Sequence, residues 1–163
     1  MNRDTHKANA PPSSVRSRAM GMIRNLSPAY FAMVMATGIV SIASHLLGMP
    51  LIARVLFGLN IVAYTVLFVA TVLRFVRYRK EFLHDLFSHT SGVGFFTLVT
   101  ATCVLGSQSV LLSGNYGMAL ILWLVGIVLW LIVTYTIFIT FTIKEDKPPL
   151  EVGINGAWLL AVV

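Results

Sequence analysis

The stretch Tyr116–Ile143, YGMALILWLVGIVLWLIVTYTIFITFTI, runs for 28 residues without a charged side chain. A helix of that length extends about 42 Å, more than the roughly 30 Å of a bilayer's hydrocarbon core. Backbone polar groups in lipid must be bonded within the segment, so the run reads as a transmembrane helix. Three further apolar runs, 29–49, 51–73 and 93–113, are each long enough to cross as well. A fifth begins at Ile154 and reaches Val163 only, about half a bilayer as helix. It is expected to be the start of another span, with the chain a piece of a longer protein.

The whole composition agrees. The 163 residues are 57% hydrophobic and 11% charged, with a mean hydropathy of +0.83. Soluble domains carry about 25% charged residues. So few charges cannot coat a water-facing surface, which excludes a soluble enzyme. The predicted class is an all-α integral membrane protein of tandem helical hairpins, two complete and a third cut short.

The net charge of +6 would point to nucleic acid in a soluble protein. Here its placement argues topology instead, and no nucleic-acid partner is expected. Arg3, Lys7, Arg16, Arg18 and Arg24 lie in the tail 1–27, read as a disordered cytoplasmic segment before the membrane domain 28–163. Arg74, Arg77, Arg79 and Lys80 lie between the second and third spans, and Lys144 and Lys147 follow the fourth. The connections Gly48–Pro50 and Gly114–Asn115 carry no charge. Every basic residue except Arg54 thus falls at one set of span ends, which predicts a cytoplasmic amino terminus in a multi-pass cell-membrane protein. A signal peptide cleaved after Ser41-Ile42-Ala43 is the rival reading. The basic lead is too long for it, and the apolar run continues past the site.

A shift of 65 residues lays the third span on the first. Phe31/Phe96, Val34/Val99, Ala36/Ala101, Thr37/Thr102, Ser44/Ser109, Leu46/Leu111 and Leu47/Leu112 are identical pairs. Each unit is a hairpin that leaves and regains the same side, so successive units share one orientation. The even spans are bulky and greasy. The odd ones carry Thr37, Ser41, Ser44 and His45 on one helical face, matched by Thr102, Gly106 and Ser109. Lipid has no use for hydroxyls, so odd helices are predicted inside and even ones outside.

Thr37, Gly38, Ser41, His45, Thr102, Gly106, Ser109 and Asn155 are the candidate lining of a polar path. The alternative is that small residues let helices approach while hydroxyls bond back to their own carbonyls. Gln108 is expected to make a helix-to-helix hydrogen bond. The loop 74–92 is expected to form an interfacial amphipathic helix with Phe82, Leu83, Leu86 and Phe87 facing lipid. His45, His84, Asp85 and His89 do not combine into a metal or haem site, and Cys103 has no partner for a disulfide. No cofactor and no catalytic group is predicted. With no acid or base in the middle of a span, an ion would meet only hydroxyl, amide and backbone dipoles. The rival function is a non-transporting anchor or assembly subunit of a larger complex, which would be expected to show paired intramembrane histidines.

The run Leu26-Ser27-Pro28-Ala29-Tyr30-Phe31-Ala32-Met33-Val34-Met35-Ala36-Thr37-Gly38-Ile39-Val40 resembles the first helix of the tellurite-resistance/C4-dicarboxylate transporter family. That family includes plant slow-type anion channels and yeast malate and sulfite transporters. Ser88-His89-Thr90, Gly94-Phe95-Phe96-Thr97 and the Lys144-Glu145 to Pro148-Pro149-Leu150-Glu151 segment extend the resemblance over residues 26–163. It implies a ten-helix, five-hairpin pore, often trimeric, with odd helices lining it and the other hairpins supplied by the rest of the chain. The implied cargo is an anion: a dicarboxylate such as malate, tellurite, sulfite, or a small inorganic ion. The family's occluding phenylalanine would fall on a ninth helix, beyond Val163. Family inner helices are often bent at proline, whereas here Gly38 and Gly106 would have to supply any bend.

Overall fold

A computed structural model describes residues 26–88 and 91–143, with isolated positions at 20, 21, 24 and 159. The fifth apolar run, Asn155 and most of the tail lie outside the described residues. What is described is helical, with no strand among it. Four helices are long and apolar enough to cross a membrane: Pro28–Leu46, Pro50–Arg77, Gly92–Ser113 and Tyr116–Thr140, the last continuing as helix to Ile143. They are called the first to fourth spans below.

The 65-residue repeat is written into the backbone. A 3₁₀ turn opens each odd span, Pro28–Tyr30 before the first and Gly92–Phe95 before the third. The α-helices then begin at Phe31 and Phe96, and both even spans are 28-residue helices. Ser27 caps the first turn by accepting from the Ala29 amide, with Pro28 at the first helical position, where its missing N–H costs nothing. Each hairpin turns through a glycine in the left-handed region, Gly48 at φ 75° and Gly114 at φ 63°. At the second turn the amides of Gly114 and Asn115 return to Val110 and Ser109 carbonyls, and Asn115 Oδ1 then caps the fourth span at Met118.

The third span is the hub. It packs against the first, second and fourth spans, and the first also packs along the second. Within the spans 67% of the third is buried and 28% of the first, against 11% of the second and of the fourth. Trp123 and Trp130 on the fourth span are exposed. Thr102 on the third is fully buried. The third span therefore sits inside this assembly, and the first is more covered than either even span. Since lipid chains are as apolar as leucine, close packing rather than expulsion from water holds such helices together. One cluster, Phe31, Val34, Tyr64, Leu98, Ala101 and Leu105, fills the junction of the first three spans. A second, including Leu86, Phe95, Phe96, Val133 and Ile137, closes the end that carries the basic loop.

Two features differ from the sequence reading. The second span continues to Arg77, a turn beyond its apolar run, because Arg74 is held inside the protein rather than released to a loop. The amphipathic helix forms, at Arg79–Leu86, but Phe82 and Leu86 turn inward. Phe82 meets the rings of Phe75 and Phe95 edge-on at 5.3 and 5.0 Å, while Leu83 and Phe87 remain outward. Spacing i, i+4 puts 82 with 86 and 83 with 87, and the rings of Phe75 and Phe95 receive the first pair through Phe82.

Candidate functional site

Where the first three spans meet, the side chains become polar. Asn60 of the second span and Gln108 of the third are both fully buried, and Asn60 Nδ2 donates to Gln108 Oε1 at 2.6 Å. One helical turn along the second span, the Tyr64 hydroxyl bonds Thr102 Oγ1 at 2.9 Å. Thr102 also donates to its own helix at the Leu98 carbonyl. Gly38 of the first span lies over the amide pair: a Cβ there would come within 3.0 Å of Asn60 Nδ2 and 3.1 Å of Gln108 Oε1, and would strike Val104 Cγ1. Glycine is thus required at 38 for contact rather than for backbone conformation.

Asn60 Oδ1 and Gln108 Nε2 have no partner among the described residues. One buried acceptor and one buried donor are therefore left over in a low-dielectric place, where polar groups interact strongly. The junction contains amides, hydroxyls and one phenol. Among the described residues it has no carboxylate, amine or imidazole.

The other predicted lining residues sit as follows. Ser41 is fully buried and donates across its own hairpin to the Ala53 carbonyl at 2.8 Å. Gly106 backs onto the fourth span, where an added Cβ would lie 3.6 Å from Leu122 Cβ and 3.7 Å from the Ala119 carbonyl. Ser109 is buried and bonds back to Leu105. Thr37 is half-buried, and His45 is exposed at the end of the first span. Gly38 and Thr102 are brought to the one junction. Ser41 and Gly106 face the even span of their own hairpins, Ser109 turns back on its own helix, and His45 is exposed. Asn155 lies outside the described residues.

Gln108 makes the helix-to-helix bond its residue type predicts. Its partner was hidden by the greasiness of the second span, whose polar contribution is Asn60 and Tyr64. The available signal was spacing: Asn60, the one amide in that run, and Tyr64 are i, i+4 and share a face. Among the described residues no group of His, Cys, Asp or Glu is placed to hold a metal ion.

At the basic-loop end a second polar centre surrounds Arg74, only 4% exposed. Its Nε donates to the Arg24 carbonyl at 3.0 Å, one terminal nitrogen to the Leu26 carbonyl at 2.8 Å, and the other to Asp85 Oδ2 at 2.5 Å. One guanidinium fork ties the approach to the first span, the end of the second and the short helix together. Nearby, Thr97 donates to the Pro28 carbonyl at 2.8 Å, pinning the start of the third span to that of the first.

The family described as voltage-dependent anion channel matches residues 25–163. Two uncharacterized transporters of Methanocaldococcus jannaschii are each 28% identical to this chain, over 154 and 150 residues, which cover 88% and 86% of it. The chain spans 42% of the length of each of these relatives. No solved structure matches.

Proposed function

The chain belongs to the voltage-dependent anion channel family, and from that premise we propose that it is part of a multi-pass membrane protein that carries anions as a channel or facilitator. Two relatives named as transporters support the reading. The observation that carries the mechanism is electrostatic. The described spans contain no Asp or Glu, and their Lys and Arg residues, Arg54, Arg74 and Arg77, stand towards span ends. An anion in transit then meets amide and hydroxyl dipoles without a fixed countercharge. Weak holding of this kind favours fast release, whereas proton coupling calls for an intramembrane carboxylate.

In this proposal Thr37 and His45, which keep exposed surface, lie along the path with Asn155. Gly38, Ser41, Thr102, Gly106 and Ser109 set how closely its walls approach. The cargo is a C4-dicarboxylate such as malate, tellurite, sulfite or a small inorganic anion, and further hairpins complete a five-hairpin ring that assembles as a trimer. The test is anion flux through the full-length protein in liposomes. Chloride, sulfite or malate flux is expected to persist when a protonophore collapses the proton gradient. Flux that stops with the protonophore, or none at all, refutes the facilitator.

The amino terminus is proposed to face the cytoplasm, on the strength of where the basic residues fall. With Cys103 and any cysteine of the remaining chain replaced by serine, a Ser17→Cys variant is expected to react with a membrane-impermeant maleimide in inside-out vesicles only. A Ser113→Cys variant is expected to react in intact cells only. The reverse pattern inverts the topology.

A further inference from the structure

We propose that the recess between the short helix Arg79–Leu86 and the approach to the first span binds the phosphate of an acidic phospholipid. The recess has a volume of 820 Å³, and its walls carry Arg24, Arg74, Lys80, Glu81, His84 and Asp85. The proposal rests on membrane embedding and not on the transport reading.

The charges decide the ligand's sign. Asp85 is occupied by Arg74, the pair lying at 2.5 Å with the arginine buried. Glu81 is shared with Arg24 at 3.4 Å, and both of those side chains are substantially exposed. Lys80 has no ion pair among the described residues. His84 stands at the rim with 85% of its side chain exposed. Both carboxylates are therefore spoken for while an ammonium remains, so the recess favours an anion. A choline headgroup would bring a second cation against Lys80 and find no open carboxylate.

The surroundings decide the source. The recess lies at the level where the first span begins and the second ends. The same short helix and its C-cap show Leu83 and Phe87 outward, and the last turns of the second span show Phe75 and Val76. Arg79 lies over the Phe75 ring at 5.7 Å, keeping a further cation at this boundary. A phosphate in the recess would thus have its acyl chains continue along apolar side chains already exposed beside it. A soluble phosphate makes no use of that surface, and interfacial helices bind by combining apolar burial with attraction to anionic lipid.

The test is native mass spectrometry of the full-length protein offered equimolar phosphatidylglycerol and phosphatidylcholine, with and without excess inorganic phosphate. Phosphatidylglycerol adducts are expected to dominate and to survive the phosphate. Lys80→Gln is expected to lower the preference about fivefold, the usual weight of one surface cation beside acidic lipid. Arg54→Gln, at the opposite end of the second span, is expected to leave it unchanged. Equal retention of the two lipids overturns the proposal, as does a Lys80→Gln protein with the wild-type preference. Displacement by inorganic phosphate would show a soluble-anion site instead and overturn the lipid assignment. Lys80 is exposed, so its loss removes no packing. If that variant nevertheless fails to accumulate, the wild-type lipid ratio and the phosphate arm decide alone.

Discussion

Arg74→Gln is expected to lower stability by about 2–3 kcal/mol, reducing the apparent Tm of the detergent-solubilised full-length protein by about 3–4 °C. Removing one partner of a fully buried ion pair costs about 3–5 kcal/mol, because the other charge is left without compensation. Asp85 is 29% exposed, so water relieves part of that loss. The larger share comes from geometry. The Arg24 and Leu26 carbonyls and the Asp85 carboxylate are held by three nitrogens of one planar group. Lysine keeps the charge but cannot hold three acceptors in that fork, so Arg74→Lys is expected to recover less than half of the loss. Arg74→Gln with Asp85→Asn is expected to be more stable than Arg74→Gln alone, since no orphan charge remains. A Tm within about a degree of wild type for Arg74→Gln would show that the three segments are held by something else.

Gly38→Val is the second large effect, and it acts in the middle of the membrane. Even an alanine Cβ would strike Val104 Cγ1 and crowd both members of the buried amide pair. Overpacking of this kind costs about 1–3 kcal/mol, so that range is expected for Gly38→Ala and a greater loss for valine. The valine methyls must push Asn60 from Gln108 or the first span from the third. In the first case a buried donor and acceptor both lose their bond. In the second, the contact between the two hairpins opens. Gly58 supplies the control, because it lies on the second span with nothing within 4 Å of an added Cβ. Gly58→Val is expected to leave the Tm unchanged or slightly raised. Equal behaviour of the two variants in thermal unfolding would mean that the three spans do not meet at Gly38.

Much of this was legible in the residues. Apolar length gave the four spans, and the offset between Phe31 and Phe96 gave the hairpin repeat that the backbone reproduces. The contrast between hydroxyl-bearing odd spans and greasy even ones gave the order of burial. What the pattern could not supply was the identity of each neighbour. The repeat equates Gly38 with Cys103, yet Gly38 is enclosed by the second and third spans while Cys103 is exposed. Ser41 and Gly106 are likewise equivalent by sequence and share a surrounding only in kind, each facing the even span of its own hairpin. A helical wheel places a residue on a face without saying which helix covers that face.

The sequence by itself determined that the chain is a membrane protein of tandem hairpins, because apolar length and absent charge leave a backbone no other way to satisfy its hydrogen bonds in lipid. The tertiary structure alone decided that Asn60 meets Gln108 and Tyr64 meets Thr102. It alone decided that Arg74 turns inward to join three segments. These pairings join residues far apart in the chain. They depend on the rotation and height at which helices pack, and those are set by steric fit across the junction rather than by any one helix's own periodicity.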